Sequence, residues 1–142
     1  MKLFYSLLNN EAIPPTRKHS EDAGADLYSC IHIEIPPNAY KIINTGITVK
    51  IPKGYFGWIT NKSSKNYLVG AGIIDSGYQG ELLIKIFNPT SDIVVINIGE
   101  PVAQLLIIPV KIPELVFANL DEIYKERSSR GNDGGIYRQL QL

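Results

Sequence analysis

One cysteine among 142 residues, two histidines, one tryptophan and no excess of either charge leave several protein classes without support. Cys30 has no partner in the chain, so no intrachain disulfide can staple the fold, and a reducing compartment is the natural expectation. With His19 and His32 the only imidazoles, no Cys/His spacing resembles a zinc site. The 14 basic and 14 acidic residues cancel, so no global field draws nucleic acid, and any phosphate contact must be local. Long apolar runs are missing too. Residues 1–8 carry one lysine and are cut off by Asn9-Asn10-Glu11, far short of a signal h-region or a membrane span. These gaps lead to the expectation of a cytoplasmic protein, or a nuclear one in a viral or eukaryotic setting. It would not be secreted, and it would have neither membrane nor nucleic acid among its partners.

Helical periodicity is also absent: no window sustains apolar residues at i, i+3, i+4 and i+7. What the chain does hold is 44% hydrophobic residues broken by 12 Gly and 9 Pro, the composition of one globular domain rich in turns. Residues 3–8 read as an opening strand, followed by an exposed connection through Pro14-Pro15 to Asp22. Residues 31–35 and 47–51 alternate apolar and polar without a miss, which puts His32 and Glu34 on a wet face. Further strands are expected at residues 23–29, 40–43, 55–59, 93–98 and 102–110, with 93–98 read as fully buried. Short strands at short spacing, each bounded by turn residues, give an all-β sandwich or barrel.

The rest of the chain is organised around Gly70-Ala71-Gly72-Ile73-Ile74-Asp75-Ser76-Gly77-Tyr78-Gln79-Gly80-Glu81-Leu82-Leu83. An apolar run ending on Asp75, a reversal at Ser76-Gly77 and a second apolar run from Glu81 to Phe87 predict a β-hairpin with a carboxylate at its mouth. Gly70 and Gly72 remove side chains there, so a flat, hydrogen-bonding ligand can reach main-chain N–H and C=O groups. Asp75 fits a turn residue as well as a base, and Tyr78 fits half-buried packing. No third glycine and no opening helix follow Gly70-x-Gly72, which excludes a dinucleotide fingerprint.

Two other stretches carry possible phosphate chemistry. Lys62-Ser63-Ser64-Lys65 offers two cations, two hydroxyls and consecutive N–H groups, as a phosphate cradle or as a solvated loop. Arg130-Gly131, within the charged, Gly-rich run at residues 126–135, combines a guanidinium fork with bare backbone donors. That run buries little apolar area and is expected to be a mobile arm covering residues 126–142, after a β domain at residues 1–125. Gln104 interrupts the last apolar strand, and its amide must find either core backbone or a ligand.

In this order the segments resemble the trimeric dUTPase family, whose five short motifs span nearly the whole chain. Ala23-Gly24-Ala25-Asp26-Leu27-Tyr28-Ser29 resembles the first, Lys62-Ser63-Ser64 the second, Gly72 to Gly80 the third, Gly99-Glu100-Pro101-Val102-Ala103-Gln104-Leu105-Leu106 the fourth, and Arg130-Gly131 begins the fifth. The resemblance implies a jelly-roll subunit in a homotrimer, sites at subunit contacts, and hydrolysis of dUTP to dUMP and pyrophosphate with Mg2+. It implies Asp75 as the base that activates water against the α-phosphorus. Main chain around Val69, Ile73, Ile74 and Leu83 would read uracil, and Tyr78 would pack on the deoxyribose. Lys62, Ser63, Ser64, Gln104, Arg130 and Gly131 would hold phosphates, and Asp26 would act on the metal through water.

The family pattern is departed from at Lys62, where Arg is usual, in the short segment between Ser64 and Gly70, and at the fifth motif, which runs Arg130-Gly131-Asn132-Asp133-Gly134-Gly135-Ile136-Tyr137-Arg138. Tyr137 is expected to supply the aromatic face and Arg138 a phosphate contact. Two rivals share parts of this pattern. A dCTP deaminase of the same fold needs a glutamate where Lys85 stands, and a non-catalytic signalling relative would need no base at Asp75.

Overall fold

The computed structural model describes residues 1–124. Residues 126–142, the expected arm with Arg130, Gly131, Tyr137 and Arg138, lie outside the described residues. The chain divides into two units, Met1–Ile112 and Pro113–Leu142. The first holds eleven strands: β1 Phe4–Leu7, β2 Ala25–Tyr28, β3 Ile33–Ile35, β4 Tyr40–Asn44, β5 Ile47–Lys50, β6 Tyr55–Thr60, β7 Leu68–Val69, β8 Gly72–Ile74, β9 Leu83–Phe87, β10 Val94–Ile96 and β11 Pro101–Pro109. The described part of the second holds one short helix, α1 Leu120–Ile123, with no buried residue.

Every strand pair is antiparallel. A four-stranded sheet runs β2-β11-β6-β8 and a three-stranded one β4-β9-β7, with the pairs β1-β5 and β10-β3 beside them. The period-2 alternation builds the core. In β9, Ile84 and Ile86 are buried while Leu83, Lys85 and Phe87 face outward, and in β5 Ile47 and Val49 are buried while Lys50 is exposed. Leu27, Ile35, Ile43, Ile59, Leu82, Ile96 and Leu105 complete a continuous apolar cluster. Branched side chains suit this pleated surface, and each one fully buried contributes about 1.5–3 kcal/mol relative to exposure.

Two expectations need correction. Residues 72–87 are not a hairpin, because β8 pairs with β6 and β9 pairs with β4 and β7, so the two apolar runs belong to different sheets. Gly72 lies opposite Ile59, and residues 75–82 cross from one sheet to the other. On the side of β9 away from β4 lies β7, whose ladder ends where the Gly70 amide donates to the Lys85 carbonyl at 2.8 Å. Residues 93–98 are not a buried strand either: β10 pairs only with β3, and Ile93, Val95 and Ile98 point outward while Val94 and Ile96 are buried.

Candidate active site

The crossing between sheets places the third-motif residues on an open edge. β8 bonds to β6 on one side only, so along Gly72–Ile74 alternate peptide groups face away from the sheet. The Ile73 side chain is 61% exposed, which leaves this edge accessible. Asp75 follows at once, exposed, and its carboxylate makes no hydrogen bond among the described residues. The turn closes with the Tyr78 amide on the Asp75 carbonyl at 3.1 Å.

The Tyr78 hydroxyl donates to the Glu81 carbonyl at 2.6 Å and so fixes the ring across the turn. Gly80 makes this possible, since a Cβ there would stand 2.6 Å from that hydroxyl oxygen. Glu81 in turn accepts from Asn44 Nδ2 at 3.0 Å and from the Gly46 amide at 3.1 Å, and the Thr48 hydroxyl donates to the Gly80 carbonyl at 2.7 Å. The crossing is thereby tied to β4 and β5. Leu83 begins β9, exposed, beyond the last bond between β7 and β9.

A second cluster gathers where β2, β11 and β6 meet. Gln104 of β11 lies opposite Asp26 of β2 on one side and Thr60 of β6 on the other. Lys62 Nζ stands 2.6 Å from Asp26 Oδ1. Gln104 Nε2 donates to the Asn61 carbonyl at 2.8 Å, which leaves the second amide hydrogen free to donate outward. Gly24 lets this amide lie flat, because a Cβ at that position would sit 2.2 Å from Gln104 Oε1. The Ser63 and Ser64 hydroxyls are exposed in the turn that follows Lys62. Behind that turn, Lys65 Nζ lies 3.5 Å from Glu100 Oε2, which also accepts from the buried Tyr67 hydroxyl at 3.0 Å. Burial, followed by the Glu100 charge, pushes the Tyr67 phenol well above its usual range.

Val69 is buried in β7, and its amide already donates to Asn61 Oδ1 at 2.6 Å. That amide is therefore already engaged within the chain.

The two clusters stand at opposite ends of β6. Ile74 lies opposite Gly57 and Gly72 opposite Ile59, so Asp75 continues toward Phe56 while Lys62 lies beyond Thr60 at the other end. Six residues of extended chain separate those positions, up to about 20 Å. Within one chain the carboxylate and the cation loop are therefore apart.

The family model for dUTPase matches residues 10–135. The chain belongs to the dUTPase family. The deoxyuridine 5'-triphosphate nucleotidohydrolase of Mycobacterium marinum is 41% identical over 130 residues, 85% of this chain and 83% of that protein. That of Mycobacterium tuberculosis is 38% identical over 130 residues, with the same coverage. Among solved structures, a mutant dUTPase from phage phi11 of S. aureus, with a coordinated structural Mg(II) ion, superposes with TM-score 0.79 at 30% identity, covering 83% of this chain and 97% of that one. Staphylococcus bacteriophage 80alpha dUTPase with dUpNHpp gives TM-score 0.83 at 29% identity, covering 94% and 95%.

The expected family, the all-β jelly-roll fold and the enzyme class, dUTP diphosphatase, stand with these matches. Sequence reasoning passed over three residues of this candidate site: Asn61, Glu81 and Gly24, whose backbone Gln104 approaches closely. A glycine in a run of small residues was the one signal available for the last.

Proposed function

We propose that the chain hydrolyses dUTP to dUMP and pyrophosphate, in sites completed between copies of a homotrimer. The observation that carries this reading is an open strand edge, Gly72–Ile74, followed directly by a carboxylate with no partner among the described residues.

Uracil presents an N–H donor between two carbonyl acceptors. Main chain along Ile73–Ile74, where alternate groups face outward, together with main chain at Leu83 and Val69, would offer the complementary pattern. Cytosine would leave buried polar groups unpaired, which costs about 1–3 kcal/mol for each. Tyr78, fixed by its bond to Glu81, packs against the deoxyribose where a 2′-hydroxyl would collide. Asp75 takes a proton from water as its oxygen attacks the α-phosphorus. The bond from that phosphorus to the α–β bridging oxygen breaks, and pyrophosphate leaves.

The separation of Asp75 from Lys62 along β6 supports a shared site in which one copy supplies Asp75 and another Lys62, Ser63, Ser64 and Gln104. Arg130, Gly131 and Tyr137 are assigned to phosphate and base contacts on family resemblance alone. Among the described residues no group of three or more His, Cys, Asp or Glu could cage a metal. Mg2+ would be held mainly by triphosphate oxygens and water, and Asp26, whose Oδ2 has no partner among the described residues, would act on it through water. When bound, the ion neutralises charge on the phosphates.

The deaminase alternative has no support at its required position, where Lys85 is exposed with Nζ 5.2 Å from the centroid of the Tyr40 ring. Product formation from dUTP, dCTP, dTTP and UTP, with and without Mg2+, tests the proposal. Pyrophosphate from dUTP in the presence of Mg2+ is expected. Ammonia from dCTP at a comparable rate would overturn it. Asp75→Asn is expected to lower kcat by about 10²-fold or more while dUTP still binds.

A further inference from the structure

Asn61 touches both halves of the recognition machinery. Its Oδ1 accepts from the Val69 amide at 2.6 Å, and its own carbonyl accepts from Gln104 Nε2 at 2.8 Å. The next residue, Lys62, opens the cation loop and reaches Asp26 at 2.6 Å. One exposed residue thus joins the strand that leads into Gly70-Ala71-Gly72, the Gln104 amide assigned above to phosphate, and the turn that carries the cation.

We propose that Asn61 is a positioning residue that holds the strand leading to the base and the phosphate-facing amide in a single geometry. This rests on the dUTP hydrolase reading of the site. β7 is only two residues long, and its ladder with β9 pairs Leu68 with Phe87 and Val69 with Ile86. So short a strand is not fixed by its ladder alone. The Asn61 side chain supplies the bond that the ladder does not, on the edge of β7 facing away from β9. Its backbone carbonyl selects the amide orientation of Gln104 in which nitrogen faces Asn61 and oxygen faces Gly24. A residue acting only on stability would lower the melting temperature without coupling to Gln104.

The test is a double-mutant cycle on dUTP kinetics with Asn61→Ala and Gln104→Ala. Each single change is expected to raise KM about tenfold with kcat held within about threefold. Asn61→Ala keeps the backbone carbonyl that Gln104 bonds but releases the side-chain anchor that holds it in place, so the double variant is expected to stay near the larger single effect. A double variant whose KM change equals the product of the single changes would overturn the proposal. Asn61→Asp keeps the acceptor for the Val69 amide, and it provides the test if the alanine variant does not fold. Binding of deoxyuridine, which has no phosphate for the new charge to repel, is expected to match wild type in Asn61→Asp, and a tenfold loss there would contradict the role. Wild-type turnover of dUTP in the same experiment separates the two ideas: no turnover removes the hydrolase reading, whereas turnover with a multiplicative cycle removes only the role of Asn61.

Discussion

Lys62 Nζ lies 2.6 Å from Asp26 Oδ1, joining two residues that stand 36 apart in sequence at the point where β2, β11 and β6 meet. Each side chain is only 22% exposed, so the cost of withdrawing both charges from water offsets most of their attraction and the net contribution to stability is small, about 0–1 kcal/mol. The consequence of the pair is placement. It aims a point charge at the edge of the site where the family usually carries a guanidinium fork.

Removing that charge should therefore affect binding more than folding. Lys62→Met is expected to raise KM for dUTP about 10–100-fold, the range for hydrogen bonds to charged groups. Thermal unfolding should move by no more than about 4 °C. Steady-state kinetics and calorimetry on the same preparation check both, and an unchanged KM would remove Lys62 from the phosphate contacts.

Gly24→Ala tests the packing under Gln104. The new Cβ would stand 2.2 Å from Gln104 Oε1, which can swing away, and 3.0 Å from Gln104 Cβ, which cannot, so the amide turns aside and the backbone gives slightly. Loss of the bond to the Asn61 carbonyl is expected to raise KM about 3–10-fold, the equivalent of one neutral hydrogen bond. Retention of wild-type KM would mean that the flat orientation of Gln104 is not needed.

Tyr67 governs an alkaline limb of stability. Its folded pKa is raised above the unfolded value of 10.0 by burial and by Glu100. Below pH 10 both states keep the proton and the contribution is fully present, whereas above it the unfolded chain ionises first and stability falls as pH rises. Denaturant titrations from pH 8 to about pH 11 should show a steeper loss in wild type than in Tyr67→Phe. At neutral pH the variant should be about 1–2 kcal/mol less stable, from the lost hydrogen bond to Glu100. Parallel curves for the two proteins would contradict the assignment.

The strands were legible where one face is wet, because alternation at Ile47-Thr48-Val49-Lys50 or Ile84-Lys85-Ile86 is a local signal. Pairing was not. Gly72-Ile73-Ile74 and Leu83-Ile84-Lys85 look like two arms of a hairpin because they are close in sequence, yet each is claimed by a different sheet through long-range contacts that no local pattern encodes. Residues 93–98 misled for a similar reason, since an apolar run does not reveal that its strand has a single neighbour. The motif residues could be read as chemistry, but Asn61 could not. Its two bonds depend on the distance from β6 to β7 and to β11, which exists only after folding.

Mixing two impaired variants, assayed at dUTP far below the KM of Lys62→Met so that neither turns over appreciably alone, addresses the shared site most directly. Asp75→Asn lacks the base and Lys62→Met lacks the cation, and by the β6 register these groups lie at opposite ends of one strand. If each site takes Asp75 from one copy and Lys62 from another, subunits co-refolded in equal amounts should regain about a quarter of wild-type activity, the share of sites that receive both intact groups in a random trimer. Activity no greater than the sum of the separate variants would contradict the account.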